Sequence, residues 1–403
     1  MKHISLLFLS LVQLLVPLGA HGCGHDGNAR DWTKEELDEL ERKWGRDWAF
    51  TGISTFAHLK HERCLTTPSE LYDIAIIGAP FDTAVSYRPG ARFGPRAIRA
   101  ASARQSSGYR GFNQRAGINP FVSWAKILDC GDIPITPMDN EVALRQMTAA
   151  LTELNQRPAL STLSPRPRLI TLGGDHSIAL PALRALRETH GQPIRVLHFD
   201  AHLDTWHPAA FPSAWESTQS HFNHGSMFWM AGNEGLIAND SSRPSLHAGL
   251  RTRLAGIELP SPDYQDDDSQ NWIRISSDDM DDMGADAIAQ KIMSTFGTEE
   301  LVYLSVDIDV LDPAFAPGTG TPEPGGWTTR ELVRVLRGIE GLNLVGADIV
   351  EVSPSYDGRG EETALAAAQV VYEIMTSMVK KGMDSMGKHG DGQGKHPLAK
   401  DEL

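Results

Sequence analysis

Four short apolar runs in this chain end in groups that can take up protons or metal ions. Residues 168–172 lead into Gly173-Gly174-Asp175-His176-Ser177, and 194–199 into Asp200-Ala201-His202-Leu203-Asp204. Residues 301–306 lead into Asp307-Ile308-Asp309, and 344–350 into Glu351. In an extended backbone alternate side chains share one side, so Asp200, His202 and Asp204 face together, as do Asp307 and Asp309. His176 arrives from a third run, and no Arg or Lys occupies these tips. Carboxylates buried side by side are costly unless positive charge accompanies them, and metal ions supply it. Four carboxylates and two imidazoles without a thiolate suit a harder divalent ion such as Mn2+ better than structural Zn2+. Six ligands exceed what one ion with an open position takes. They fit two ions ~3.5 Å apart that share carboxylates, the arrangement that activates water. Any one of these residues alone would read as a strand-end cap or a core hydrogen bond; the ensemble reads as a metal site.

These tips need a frame. Apolar runs at 72–77, 125–128, 168–172, 194–199, 245–250, 272–275, 301–306 and 344–350 mostly do not alternate, as expected for strands covered on both faces. Helical patterns intervene at 95–102, 141–155, 181–189, 285–296, 329–339 and 362–379. Strand and helix in alternation predict a parallel sheet of about eight strands inside a helical sandwich, with ligands bound beyond the carboxyl ends of the strands. Thr33 and Glu36 form a capping-box pattern that opens a helix with Leu37, Leu40 and Trp44 on one side. The Asp-rich stretches at 266–268 and 278–282 read as solvated loops.

The whole chain has 403 residues, 37 basic against 52 acidic, for a formal charge of −15. That balance argues against a nucleic-acid surface, which needs clustered Lys and Arg. It is no obstacle to a metal or a small cationic ligand. With 41% hydrophobic and 22% charged residues the composition is that of a globular protein, and three cysteines are too few to replace a core.

Both ends carry addresses. A basic start at Lys2, an apolar stretch at 4–18 and small residues Gly19, Ala20 and Gly22 have the layout of a secretory signal peptide over 1–22. The stretch is shorter than the ~20 residues of a bilayer span, so no membrane association is expected after cleavage. Lys400-Asp401-Glu402-Leu403 is the tetrapeptide read by the endoplasmic-reticulum retrieval (KDEL) receptor, carried on a polar tail over 381–403 that is expected to stay disordered. The organisation is then an arm over 23–65 and a catalytic domain over 66–380, in the endoplasmic-reticulum lumen. In that compartment Asn239 heads a glycosylation sequon, and Cys23 can pair with Cys64, leaving Cys130 as a buried free thiol.

GGDHS, HFDAHLD and SVDIDVLDPAFAPGTGTPEPGG resemble, in order and spacing, the three metal signatures of the ureohydrolase (arginase–agmatinase) superfamily. The resemblance spans about residues 52–379. It implies the three-layer α/β/α arginase-type fold with an eight-stranded, mostly parallel sheet, and a trimer or hexamer. It implies two Mn2+ per subunit, one held by His176, Asp200, Asp204 and Asp307 and the other by His202, Asp200, Asp307 and Asp309. It also implies His224 as a proton shuttle, Glu351 as the partner of the substrate guanidinium and Asp204 as a proton relay to the departing nitrogen. The expected reaction is cleavage of a guanidino C–N bond to urea and an amine. The loop after the second signature, Thr205 to His221, lacks the polar pattern with which arginases grip an α-amino acid, which disfavours arginine. Agmatine is the leading substrate and an ω-guanidino acid the alternative. An ammonium tail would want Glu216, Trp206 or Trp215, and a carboxylate tail Arg88, Arg92 or His207. The competing classes are hydrolysis of formimino-glutamate or free guanidine on the same metals, and a non-catalytic metal-binding luminal protein.

Overall fold

All eight apolar runs form strands, and every pairing between them is parallel. The computed structural model describes residues 32–389 except 46, 106–110, 212–216 and 239–241. The signal peptide, Cys23, Trp215, Glu216, the Asn239 sequon and the C-terminal tetrapeptide therefore lie outside the described residues. In chain order the strands are β1 (Ile74–Ala79), β2 (Ile127–Asp132), β3 (Arg168–Gly173), β4 (Arg195–Phe199), β5 (Ser245–Leu250), β6 (Trp272–Ser276), β7 (Leu301–Asp307) and β8 (Asn343–Val350). They lie in the order β2-β1-β3-β8-β7-β4-β5-β6. Strands with a neighbour on both sides, such as β1, β4 and β5, are buried along their whole length, which explains why their sequences are apolar without alternation.

The helices are α1 (Lys34–Trp44), α2 (Gly94–Ala101), α3 (Asn140–Asn155), α4 (Ala179–His190), α5 (Met227–Asn233), α6 (Pro262–Ser269), α7 (Asp279–Phe296), α8 (Thr329–Gly338) and α9 (Glu362–His389). In α8, Leu332, Val333, Val335 and Leu336 are buried, and a Thr328–Glu331 capping box starts the helix. In α9, Ala367, Ala368, Val370, Val371, Ile374 and Met375 pack into the same core as β3, β7 and β8. This helix continues past 379, where the sequence pattern stops it, to His389. The helix α1 forms a unit of its own with residues up to Asp47; it carries the expected capping box and none of its residues is buried.

Two helices, α5 and α6, have no counterpart among the predicted helical patterns. The sequence of α6, PDYQDDDS, has no apolar periodicity; Ser261 caps it by accepting from the Asp263 N–H, and proline occupies its first turn. The Asp-rich stretches are thus not solvated loops. Asp267 is wholly buried on α6, and Asp279, Asp281 and Asp282 stand in the first turn of α7, where the helix dipole favours carboxylates.

The cysteine expectation is also corrected. Cys64 bonds to Cys130, with the Cα atoms 5.2 Å apart. The cause is an added edge. Residues 60–62 lie alongside β2, with the Asp129 N–H donating to Lys60 O (3.0 Å) and the Glu62 N–H to Asp129 O (2.9 Å), and this delivers Cys64 to Cys130. Spacing along the chain could not reveal that edge. The bond closes a loop of 66 residues, for which chain entropy alone gives about 4 kcal/mol. Cys130→Ala is expected to lower the unfolding free energy by about 2–4 kcal/mol in urea titrations. A reductant should erase the difference between variant and parent.

Candidate metal centre and active site

The sheet order explains the site. The tips that carry chemistry follow β3, β8, β7 and β4, which are neighbours at the centre of the sheet although far apart in sequence. The chain leaves β3 for β4 across the places that β8 and β7 later fill, which makes a crevice at the carboxyl ends. Gly174 begins the turn after β3: a Cβ there would stand 2.0 Å from Phe81 O and 2.7 Å from Ala79 O, so only glycine lets the backbone pass. Asp175 then caps the short turn His176–Ile178.

His176 Nδ1 stands 2.9 Å from Asp204 Oδ2, 3.1 Å from Asp200 Oδ2 and 3.3 Å from Asp307 Oδ2. His202 Nδ1 stands 3.1 Å from Asp200 Oδ1 and 3.1 Å from Asp309 Oδ2. The six side chains therefore make two adjoining nests that share Asp200. The convergence does not come from a strand pleat. β4 ends at Phe199, and Asp204 has φ 57°, so the loop coils back and brings Asp204 over His176. Asp307 caps a tight turn over Ile308–Val310 that carries Asp309, and its Oδ1 accepts from the Asp309 N–H at 2.8 Å. Curvature, not alternation, gathers these side chains.

The electrostatics favour added positive charge at these carboxylates. Asp309 is pushed up to about 6 by burial and by Asp200. Asp307 is raised far more, by burial, Asp309 and Asp200. Burial alone would lower His176 and His202, yet the carboxylates around them lift both well above the usual imidazole range. His176 Nδ1 is buried and makes no hydrogen bond despite three carboxylate oxygens around it. A nitrogen lone pair aimed among carboxylate oxygens is the donor set of a divalent cation, and two such nests fit two ions. Protons and metal compete for these groups, so affinity falls as pH falls. Apparent Mn2+ affinity is expected to weaken by at least about 10-fold between pH 8 and pH 7, measured by chelator competition.

Glu351 closes the inner end. It is 1% exposed with φ 60°, and its Oε1 accepts from the His176 N–H at 2.9 Å and faces His224 Nδ1 at 3.1 Å. Its Oε2 is buried without a partner. The far nitrogen of His224, Nε2, accepts from the Ser86 N–H at 3.0 Å. His224, His202, Asp204 and Asp307 open onto a cleft of about 350 Å3, whose walls include Trp206, Phe211, Ser86 and Thr321. Its lining also includes two charges that the sequence reading did not single out, Arg253 and Asp263.

The basic residues expected to grip a carboxylate tail are elsewhere. Arg92 is ion-paired with Asp82, Arg88 lies 5.2 Å over the rings of Tyr87 and Tyr356, and His207 packs on Trp229 at 4.4 Å. Also missed were the residues behind the ligands. Ser305 Oγ stands 2.7 Å from His176 Nε2 and donates to Asp348 at 2.7 Å; His198 lies 2.9 Å from Asp200 Oδ2. His198 falls two positions before Asp200, so the alternation that singled out His202 could have found it.

Residues 72–377 match the Arginase family. The chain belongs to the arginase family. It is 49% identical to the "Putative agmatinase 1" of Schizosaccharomyces pombe over 83% of this chain and 84% of that protein. It is 36% identical to the "Agmatinase" of Chromobacterium violaceum over 82% of this chain and 90% of that protein. Among solved structures, proclavaminate amidino hydrolase from Streptomyces clavuligerus superposes with a TM-score of 0.70 at 35% identity, covering 83% of this chain and all of that one. A hypothetical agmatinase from Burkholderia thailandensis superposes with a TM-score of 0.70 at 33% identity, covering 84% of this chain and 93% of that one. The eight-stranded parallel α/β architecture expected for the arginase family is the one found.

Proposed function

We propose that this arginase-family protein is a binuclear manganese hydrolase that cleaves agmatine to putrescine and urea. One observation carries the reading. Two histidines and four aspartates form a shared nest at the base of a cleft, and the free oxygen of Glu351 is buried beside them. His176, Asp200, Asp204 and Asp307 would hold one ion, and His202, Asp200, Asp307 and Asp309 the other. When bound, the two cations balance the carboxylates and lower the pKa of water enough for attack on a guanidinium carbon at neutral pH.

The remaining work falls to side chains. Glu351 Oε2 is an acceptor with nothing to accept, and a guanidinium N–H satisfies it with charge assistance. Its Oε1, tied to the His176 backbone, keeps the carboxylate from turning away. His224 bridges Glu351 and Ser86 at the cleft wall, where its imidazole can hand a proton to the departing amine. Asp204 lines the same cleft and can relay a proton to that nitrogen.

On the cleft lining, Trp206, Phe211 and Asp263 offer aromatic faces and a negative charge to the ammonium of agmatine. Arg253 on the same lining favours a second reading, an ω-guanidino acid whose carboxylate meets that guanidinium. Urea release from agmatine, 4-guanidinobutyrate, arginine and guanidine, each with Mn2+, decides between them. Agmatine is expected to give the highest kcat/KM. A higher value for 4-guanidinobutyrate selects the second reading, and no release from any of the four defeats both.

The reading extends to place and assembly. The apolar leader and the C-terminal Lys400-Asp401-Glu402-Leu403 support a protein of the endoplasmic-reticulum lumen, and a buried disulfide is in keeping with an oxidising compartment. The family resemblance supports a trimer or hexamer. Deleting 400–403 is expected to send the protein into the medium, and light scattering on the purified protein reads the assembly.

A further inference from the structure

His198 on β4 is wholly buried, and so are His247 on β5 and Asp267 on α6. His198 presents Nε2 to Asp200 Oδ2 at 2.9 Å and Nδ1 to His247 Nδ1 at 2.7 Å. His247 presents its own Nε2 to Asp267 Oδ1 at 3.2 Å. Asp267 accepts from Arg274 Nη1 at 2.6 Å and from Thr205 Oγ1 at 2.8 Å. An unbroken line of polar side chains thus runs from a carboxylate at the centre of the ligand nest, through two neighbouring strands, to a helix with no apolar stripe. Buried polar groups are costly unless each is satisfied, and a core this apolar has no packing need for two imidazoles and an aspartate.

We propose that His198, His247 and Asp267 are positioning residues that set the orientation of Asp200 for the metal pair. The inference rests on the binuclear reading above and adds the part of the protein that holds the shared carboxylate still. Asp200 Oδ1 already accepts from the His202 N–H at 2.6 Å. With Oδ2 held by His198, both oxygens are fixed and the carboxylate plane cannot rotate. Metal binding then meets a ligand whose ordering is complete, which raises affinity. His198 stands close enough to the nest to be taken for a ligand itself. Its two nitrogens are already committed, one to Asp200 and one to His247, and its ring packs against Phe228 at 4.9 Å. That arrangement assigns it to the support of Asp200.

The test uses the full-length protein and Mn2+. His247 touches no metal ligand and stacks on Trp272 with ring centroids 4.0 Å apart. His247→Phe keeps an aromatic ring there and removes both hydrogen bonds. Its Mn2+ dissociation constant, from chelator competition, is expected to rise about 10–100-fold, with two ions still bound at saturation. Asp267→Asn should weaken binding in the same direction. His247→Gln, which keeps a donor and an acceptor, should recover part of the affinity, and Trp272→Phe, which alters packing alone, should leave it unchanged. The electron paramagnetic resonance spectrum of the manganese-loaded His247→Phe protein is expected to differ from that of the parent, because the shared carboxylate is reoriented. A dissociation constant within twofold of the parent in both His247→Phe and Asp267→Asn overturns the inference. So does a fall from two ions to one at saturating Mn2+ in His198→Phe, which would make His198 a ligand. A parent protein that takes up no Mn2+ overturns the metal reading beneath, and this inference with it.

Discussion

Changing Asp200 and Asp307 together to alanine is expected to lower urea release by about 10^4-fold or more, equivalent to at least about 5.4 kcal/mol of transition-state stabilisation. The two aspartates are the ligands that both nests share in the proposed assignment. Without them His176 and Asp204 remain on one side, and His202 and Asp309 on the other. Two protein ligands cannot hold a divalent ion against water with useful affinity, so metal content should fall from two ions per chain to below one. Metal analysis after desalting and a urea assay read both consequences. The substitutions relieve the like-charge crowding on Asp309 but leave His198 and the His202 and Asp309 N–H groups without their carboxylates, so circular dichroism of the double variant is read beside activity to show that it is folded. A double variant with undiminished turnover, or with two ions still bound, would remove the basis of the proposed chemistry.

Glu351→Gln should have the second largest effect, a loss of about 10^3 in kcat/KM for agmatine. Breaking one side of a buried charge pair costs about 3–5 kcal/mol. In the variant one amide oxygen can still accept from the His176 N–H, but the amide nitrogen then occupies the place of Oε2. A donor there faces the N–H groups of a guanidinium and repels them. Because Glu351 contacts the metal nest only through the His176 backbone, Mn2+ binding should stay within about threefold of the parent. That separation of turnover from metal content distinguishes substrate recognition from a general collapse of the site. If kcat/KM for agmatine changes by less than tenfold, the role assigned to Glu351 is wrong.

The order of strand and helix, and the position of each chemical tip just after an apolar run, were readable along the chain because they depend on local pattern. Burial on both faces removes alternation from the strands, and a helix that covers a sheet shows its apolar side at a fixed period. The candidate ligand residues could be named for a related reason: four carboxylates at strand ends whose own tips carry no Arg or Lys call for added positive charge, and Arg251, which the fold brings against the Asp309 backbone, is a single cation among them. Composition and spacing carry that demand by themselves.

What the chain alone could not show was geometry that depends on partners distant in sequence. Cys64 finds Cys130 because residues 60–62 extend the edge of β2, a contact across 66 positions. Asp267 belongs to a polar run that looks solvated, yet the neighbouring β5 places His247 against it in the interior. Arg253 and Asp263 reach the cleft from the loop after β5 and from the start of α6, while Arg88 and Arg92 are drawn off to tyrosine rings and to Asp82. Sequence alone therefore determined which residue types meet at the strand ends, and these carry the proposed chemistry of a metal pair and a planar cationic group. Tertiary structure decided the bend at Asp204, the tether behind Asp200 and the charges at the cleft. Those depend on which strands lie side by side, and strand neighbours are chosen by the packing of the whole sheet.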